Sequence, residues 1–243
     1  RHTACEKQGT KGACPGKNCA APHACENLDT SHDDYLAILR KLRKLKGVKK
    51  VFVRSGLRYD YVLEDNNREF VKELCEHHVS GQLKVAPEHV SEAVTEIMGK
   101  ADKTVFLKFK DWFETANRQL GKKQFLVPYF MSSHPGCTLA DAVELAEFLL
   151  DQKMTPEQVQ DFIPTPGSLS TAMYYTGINP LTGEAVYVAK KGRDKAMQRA
   201  LMQYKNPDNY DLVREALVKA GRTDLIGFGP LCLIPPRPIG RNK

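Results

Sequence analysis

Four of the seven cysteines lie within the first 25 residues of the sequence. They are Cys5, Cys14, Cys19 and Cys25, with eight, four and five residues between successive members. Cysteines grouped in this way bind zinc, hold an iron–sulfur cluster or pair as disulfides. The rest of the chain has the composition of a cytosolic protein, in which thiols stay reduced, so a metal is favoured over disulfides. Four separate thiols in a loop are the simplest alternative.

The cysteine spacing does not decide which metal would bind. Zinc ribbons favour C-x2-C pairs, and no neighbouring pair of these cysteines has that spacing. Iron–sulfur clusters are held by four thiolates and accept looser spacings. His2, His23 and His32 are further candidate ligands, but their spacing carries no signal. The residues alone therefore leave both zinc and an iron–sulfur cluster as candidates.

Polar side chains follow the predicted strands. Ser55 and Arg58 come after the first strand, where arginine can bind a carboxylate through two hydrogen bonds and serine can bond a hydroxyl. A salt bridge at the entry of the next helix is an equally good interpretation of Arg58. Lys84, Glu88 and His89 in KVAPEH have the same two interpretations. We expect Lys84 to need a partner, because a lysine within a buried parallel strand cannot stay unpaired.

The longest apolar run, QFLVPYFM, ends in Ser132, Ser133 and His134. His134 could act as an acid or base, or serve as a structural hydrogen-bond donor. The serines do not lie in a G-x-S-x-G elbow, so hydrolase chemistry has little support. The sequence also has no G-x-G-x-x-G after a strand and no G-x4-G-K-[ST], which argues against the two nucleotide-binding motifs of those forms.

Four predicted strands position these residues. They start near residues 48, 82, 124 and 159, and helical patterns follow each of them and precede the first, over 31–47. Strands alternating with helices predict an α/β fold with a parallel sheet, in which the carboxyl ends of the strands form the ligand-binding edge. Four β/α units are too few to close an eight-stranded barrel. Because the chain also begins with Arg1 rather than Met, we expect the C-terminal portion of a longer protein.

The sequence divides into three predicted segments. Residues 1–30 form a cysteine-rich segment, 31–170 the β/α units, and 171–243 a mostly helical C-terminal extension. The extension has a hairpin-like turn near Asn179-Pro180, short helices near 194–204 and 210–220, and a Pro-rich end expected to be extended or disordered.

The net charge of +7 is concentrated near the start of the chain. Residues 1–50 carry 11 Lys or Arg against 5 Asp or Glu. This excess indicates contact with nucleic-acid phosphates or, alternatively, a solvated helix face, and the lack of interleaved aromatic residues favours the second. No apolar run reaches the roughly 20 residues that span a bilayer, and no apolar leader precedes the cysteines. We therefore expect a soluble cytoplasmic protein with no membrane partner.

Several long strings in the sequence have an unusual composition. They include VKKVFVRSGLRYD, HHVSGQLKVAPEH, QFLVPYFMSSHPGCTLADAVELA and QVQDFIPTPGSLSTAMYYTG. With these strings the chain resembles the YgiQ family of radical S-adenosylmethionine (SAM) proteins over essentially its whole length. The resemblance implies the later strands of a partial (β/α) barrel. It also implies a 4Fe-4S cluster, held by three cysteines, that reduces SAM to a hydrogen-abstracting 5′-deoxyadenosyl radical.

The resemblance also implies a set of residues around SAM. They are Ser55, Arg58, Lys84, Glu88, Ser133, His134 and the backbone at Pro166 and Gly167. Radical SAM enzymes of this class bind their cluster through C-x3-C-x2-C, which this sequence lacks, so the chain is expected to be inactive alone. Its four N-terminal cysteines would then hold an auxiliary 4Fe-4S cluster, with structural zinc as the rival. Substrate and catalytic residues stay unknown.

A second function remains open beside this one. The chain could be a non-catalytic metal-binding module that contacts RNA or DNA through its basic first 50 residues.

Overall fold

The computed structural model describes residues 5–12, 14, 19–20, 24–65, 67–156 and 159–238. Within these ranges three strands, β1 (Gln82–Glu88), β2 (Phe125–Ser132) and β3 (Gln160–Asp161), form a sheet in the order β1-β2-β3. β2 and β3 run parallel, with Met131 opposite Gln160. The α/β class predicted from the sequence is thus confirmed.

Helices make up most of the regular structure. They are α1 (Glu6–Lys11), α2 (Asp33–Arg43), α3 (Tyr59–Glu64), α4 (Glu69–Glu73), α5 (Glu92–Met98), α6 (Lys103–Leu120), α7 (Leu139–Asp151), α8 (Leu169–Thr176), α9 (Gly192–Met202) and α10 (Tyr210–Lys219). A π-helix, Leu74–His78, continues α4, and short 3-10 turns lie at Pro207–Asn209 and Thr223–Leu225. Among the described residues, none of these helices combines the length and apolarity needed to cross a membrane.

The chain divides into two compact units. Unit 1 comprises Arg1–Pro87 and Gly99–Tyr129, and unit 2 comprises Glu88–Met98 and Phe130–Lys243. Each unit buries apolar side chains of its own.

The core of unit 1 is built on α6. Its buried residues Phe106, Phe109 and Phe113 recur every three or four positions and so share one helix face. This helix packs against α3 and α4. The side chain of Asp102 caps the amino terminus by accepting two backbone hydrogen bonds at 2.7 and 3.2 Å, and Gly121, at φ +61°, ends the helix in the left-handed conformation.

The prediction of a strand near residue 48 is wrong. Among the described residues, no strand precedes β1. Val53 donates its amide to the carbonyl of His78 at 2.9 Å, and Leu57 makes one isolated parallel bridge to Val85. Parallel pairing depends on strands distant in sequence, so the apolar run alone overstates it. The helical residues predicted to follow this strand form α3 and, after a break, α4 with the π-helix that continues it.

The core of unit 2 lies around α7, α9 and α10. α7 begins with a capping box in which Thr138 and Asp141 bond each other's backbone, and it packs against α9, which also contacts α10. The predicted C-terminal helices and the turn near residue 179 are confirmed, the turn by an antiparallel bridge between Ile178 and Ala185. The fourth predicted strand shrinks to the two residues of β3.

The Pro-rich end departs from its prediction in part. Leu233 and Ile234 are buried in the core of unit 2, so these residues are not disordered. An isolated parallel bridge joins Ile234 to Ile226. The apolar side chains within this Pro-rich stretch explain the packing, because their burial is favourable whatever the backbone conformation.

Candidate functional site

A cavity of about 610 Å³ in unit 1 brings the cysteine segment to the predicted strand-end loop. Cys5, Cys19 and Cys25 line it together with Gly56 and Arg58. Cys14 is described but does not contribute to this lining. We call this space the cysteine cavity. It unites two parts of the sequence that were predicted to carry separate functions.

Hydrogen bonds around Asp65 hold the segment after the cysteines in place. The backbone N–H of His32 donates to Oδ2 of Asp65 at 2.9 Å, and Nδ1 of the same histidine lies 2.8 Å from that oxygen. Asp65 is only 4% exposed. With the ring proton on Nδ1, Nε2 is left as a potential metal ligand, an arrangement typical of histidines that bind metals. His32 also lines the cysteine cavity, which its position in the sequence could not show.

The cysteines of the cavity do not form a ready coordination sphere. All seven cysteines are thiols rather than disulfides. In the described part of the chain, no group of three or more His, Cys, Asp or Glu side chains could hold a metal ion. The amide of Cys25 donates to the carbonyl of Cys19 at 2.9 Å, so these two residues are already linked. A metal would have to draw the thiols together as it binds, as in sites that fold around their ion. His2 and His23 lie outside the described residues.

Arg58 takes up the salt bridge that the sequence left open. Its Nε and Nη2 donate to the two carboxylate oxygens of Asp60 at 2.9 and 2.6 Å, and its guanidinium lies 4.6 Å from the ring centre of Tyr61. Asp60 therefore occupies two donors of a side chain predicted to bind a cofactor carboxylate. Ser55, in the same loop, is exposed.

Lys84 differs from the sequence-based expectation. The expectation of a buried lysine is wrong, because Lys84 is exposed. Burial alternates along β1, with Leu83 and Val85 enclosed and Lys84 on the open side. A strand covered on one face alternates in this way, whereas the prediction assumed a strand buried on both.

In unit 2 the loop after β2 encloses Ser133 and His134. Ser133 has a φ of +59° and donates its amide to Oε1 of Gln198 at 2.9 Å. His134 has Nδ1 2.7 Å from the carbonyl of Pro135, which assigns the ring proton to Nδ1, and Nε2 accepts from Oγ of Ser170 at 2.8 Å. Burial lowers the pKa of His134. The imidazole is thus neutral and has both nitrogens hydrogen-bonded, which favours the structural interpretation.

Three more of the predicted cofactor neighbours belong to unit 2, one at the end of β1 and two in a loop. Glu88 ends β1 with a φ of +65°, which is rare for a residue other than glycine. Pro166 and Gly167 are exposed in the loop before α8, and Gly167 has a φ of +82°. Non-glycine residues in this region carry backbone strain, which is often found at functional sites.

His89, a candidate residue of the sequence, forms a buried contact with Cys137 that the sequence did not indicate. Their Sγ and Nε2 atoms are 3.5 Å apart, and the amide of Ser91 donates to Nδ1 of His89 at 3.1 Å. Burial raises the pKa of the Cys137 thiol and lowers the pKa of His89 to about 4. Both groups are neutral near pH 7, so the pair lacks the thiolate that a nucleophile requires. Its role is to satisfy buried polar atoms.

His89 is expected to make unit 2 less stable in mild acid. The unfolded chain takes up a proton on this side chain below its usual pKa of about 6.5, whereas the folded chain resists protonation until about pH 4. Stability is therefore lost as the pH falls, by about 2 kcal/mol between roughly pH 6.5 and 4.5. Asp141, whose charge favours the imidazolium, and His134, whose charge opposes it, both act on His89.

Urea denaturation across this pH range checks the expectation. Because the pKa values of His78 and His134 are also lowered by burial, the wild type must be compared with His89→Gln. This variant should show a shallower pH dependence than the wild type. Equal slopes for His89→Gln and the wild type would contradict the prediction.

Comparison with known proteins extends this description. A family model described as "Domain of unknown function (DUF3362)" matches residues 157–242. A UPF0313 protein of Clostridium botulinum (strain 657 / Type Ba4) is 59% identical over 235 residues, which are 97% of this chain and 37% of the relative. A UPF0313 protein of Clostridium perfringens (strain 13 / Type A) is 59% identical over 234 residues, 96% of this chain and 35% of the relative.

The chain is similar to UPF0313 proteins along nearly all of its length. UPF0313 proteins are the YgiQ-like family, so the resemblance noted from the sequence is supported at that level. The chain spans about 37% of the length of the curated relatives it matches. The names of these relatives describe no reaction.

Proposed function

We propose that this chain contributes part of the SAM-binding barrel and an accessory metal site to a radical SAM enzyme. The similarity to UPF0313 proteins and the parallel strands with polar ends support the proposal. When bound, such a cofactor system supplies hydrogen abstraction by the 5′-deoxyadenosyl radical. Because the sequence contains no C-x3-C-x2-C, the radical-generating cluster is assigned to residues outside it.

The shared lining of the cysteine cavity carries the proposal. Three thiols from the N-terminal segment face the same space as Arg58, which follows the first predicted strand. An accessory metal held there would stand directly beside a residue predicted to contact SAM. Within unit 1, Ser55, Arg58 and Lys84 are the proposed SAM neighbours, with the Asp60 pair orienting the Arg58 guanidinium.

The residues of the cavity leave both metals in contention. An auxiliary 4Fe-4S cluster needs four thiolates, which Cys5, Cys14, Cys19 and Cys25 would supply if Cys14 moved towards the others. Zinc accepts three thiolates and one imidazole, which Cys5, Cys19, Cys25 and His32 would supply. The Asp65 hydrogen bond favours His32 as a ligand, whereas the family resemblance favours iron. A reducing cytoplasmic setting is part of the proposal, because either site requires thiols.

In unit 2 the proposed cofactor neighbours are Glu88, Ser133, His134, Pro166 and Gly167. Their contribution would be made through backbone groups and fixed side chains, since His134 already bonds both ring nitrogens. The positive φ values of Glu88 and Ser133 turn the chain sharply at the two strand ends. Because the Ser133 amide is already donated to Gln198, a cofactor contact at this turn would use other groups of the loop.

Anaerobic reconstitution tests the accessory site. The chain is loaded with iron and sulfide or with zinc, and the metal and sulfide contents and the visible spectrum are measured for the wild type and for Cys19→Ala/Cys25→Ala. We expect about four irons and four sulfides in the wild type and their loss in the variant. A matched control is Cys232→Ala, a partly exposed thiol in unit 2.

The outcomes separate the alternatives. If the wild type holds one zinc and no iron, and if His32→Ala also loses that zinc, the cavity holds a structural zinc site and not a cluster. Full iron retention in the cysteine variant would contradict a metal site in this cavity. Formation of 5′-deoxyadenosine from SAM and dithionite by this chain alone would contradict the assignment of the radical-generating cluster elsewhere.

A further inference from the structure

A second cavity of unit 1, of about 580 Å³, is strongly basic. It is lined by Arg43, Lys49, Lys50, Lys122 and Lys123 and by one exposed aromatic side chain, Phe52. We call it the basic cleft. Glu76 is the acidic residue in the described lining of the cleft. Its Oε1 lies 3.6 Å from Nε2 of His77, which also lines the cleft. The five cations therefore outnumber the acidic lining residue.

The cations converge from distant parts of the sequence. Arg43 ends α2, Lys49 and Lys50 lie in the segment between α2 and α3, and Lys122 and Lys123 precede β2. The run of lysines near residue 50 is visible in the sequence, but its meeting with residues 122–123 is a property of the fold. Convergence on one concave surface distinguishes the cleft from a solvated helix face.

The cleft lies at the amino ends of the strands. The amide of Phe125 donates to the carbonyl of Gly81 at 2.9 Å, which places the starts of β1 and β2 side by side. The cysteine cavity, by contrast, is lined by Gly56 and Arg58 on either side of Leu57, which bridges to Val85 within β1. Ligands of α/β proteins bind at the carboxyl ends of parallel strands. A cofactor at that edge does not account for a basic cleft at the other.

The cleft charges are available to an anion. Lys49, Lys50, Lys122 and Lys123 are exposed, and within the described residues none of them forms an ion pair with a carboxylate. Arg43 is partly neutralised by Glu73, 3.6 Å away. Like charges held together repel one another and concentrate anions from solution. A polymer with several phosphate groups can contact more than one of these cations at once.

Phe52 supplies the contact that separates nucleic acid from other anions. Its side chain is 41% exposed, and Nζ of Lys50 lies 5.9 Å from the ring centre. An aromatic face beside cations is the usual platform of proteins that bind single strands, because a base stacks while the phosphates contact lysines. A duplex hides its base faces, and an acidic peptide has none.

We propose that the basic cleft binds single-stranded nucleic acid, with phosphates on the lysines and a base stacked on Phe52. This inference does not depend on the cysteine cavity or on SAM. Unit 1 would then bind nucleic acid at the amino ends of its strands, whereas the proposed cofactor lies at their carboxyl ends.

Fluorescence anisotropy with the full chain tests the proposal. The probes are a short labelled single-stranded RNA, the DNA of the same sequence and its duplex, at about 50 to 200 mM salt. If all five cations contact phosphates, the slope of log affinity against log salt for a single strand is about −3.5. Lys122→Glu/Lys123→Glu should weaken binding at least about tenfold and make the slope shallower by about 1.4. Phe52→Ala should weaken single-strand binding about tenfold.

Lys72→Glu/Lys108→Glu is the matched control, because it makes the same change in net charge at exposed residues of unit 1 outside the cleft. It should bind almost as the wild type does, and circular dichroism checks that all variants are folded. Binding of either single strand that depends on the cleft supports the proposal, and a preference for RNA or DNA assigns the strand. Equal weakening by the control pair overturns it. So does duplex binding as tight as single-strand binding, or competition by polyglutamate equal to that by RNA.

Discussion

Phe106→Ala is expected to lower the free energy of unfolding of unit 1 by about 3–5 kcal/mol. The ring is completely buried on the inner face of α6, and its centre lies 5.8 Å from that of Tyr59 in an edge-to-face contact. Truncation removes buried apolar surface and leaves a cavity that rigid neighbours such as Phe109 cannot fill.

Urea denaturation followed by Trp112 fluorescence measures this loss. Trp112, the one tryptophan of the sequence, belongs to α6 and therefore reports on unit 1. Phe125→Ala is the matched control, because that phenyl ring is 66% exposed and its loss should cost less than about 1 kcal/mol. If Phe106→Ala does not fold, Phe106→Leu should still show a smaller loss. Similar losses for the two alanine variants would contradict the assigned core.

Gln198→Leu is expected to destabilise unit 2 by about 2–5 kcal/mol. Gln198 is 1% exposed, its Oε1 accepts from the amide of Ser133, and its Nε2 donates to the carbonyl of Cys137 at 2.8 Å. Leucine has a similar size but neither polar atom. Two buried backbone groups would then lose their partners, and each unpaired group carries its full desolvation cost.

Thermal denaturation gives the loss in stability, and hydrogen exchange locates it. The amide of Ser133 should exchange faster in Gln198→Leu, because its acceptor is gone. Gln152→Leu, at the partly exposed end of α7, is the control and should change stability by less than about 0.5 kcal/mol. An unchanged exchange rate of the Ser133 amide would show that the Gln198 side chain does not hold the loop after β2.

Helices were the part of the fold that the sequence predicted well. α6 and α7 have apolar residues at helical spacing and capping residues at their starts, so local signals define them. The segment near residue 48 also has an apolar run, yet among the described residues it forms no strand and makes one isolated bridge, between Leu57 and Val85. A parallel strand exists through its neighbours, and those are set by the tertiary fold.

The cysteines of the candidate site stand out in the sequence, but their arrangement in space does not. The four cysteines predicted a metal site, whereas the approach of three of them to Arg58 and the position of His32 depend on the chain path. Gln198 could not be recognised, because glutamine on a helix normally faces solvent. Lys84 was misjudged since the pattern of burial on β1 depends on what covers each face of the sheet.

The π-helix Leu74–His78 determines the directions in which the side chains of His77 and His78 point in unit 1. Nδ1 of the enclosed His78 lies 2.8 Å from the carbonyl of Val51, while His77 lines the basic cleft. A single π turn within a helix holds one residue more than α-helical winding requires. Deleting one residue here would restore that winding and rotate the later residues of the helix by about 100°, given 3.6 residues per turn. The number of residues in this turn, and not only their chemical type, therefore decides which imidazole is enclosed and which meets the solvent.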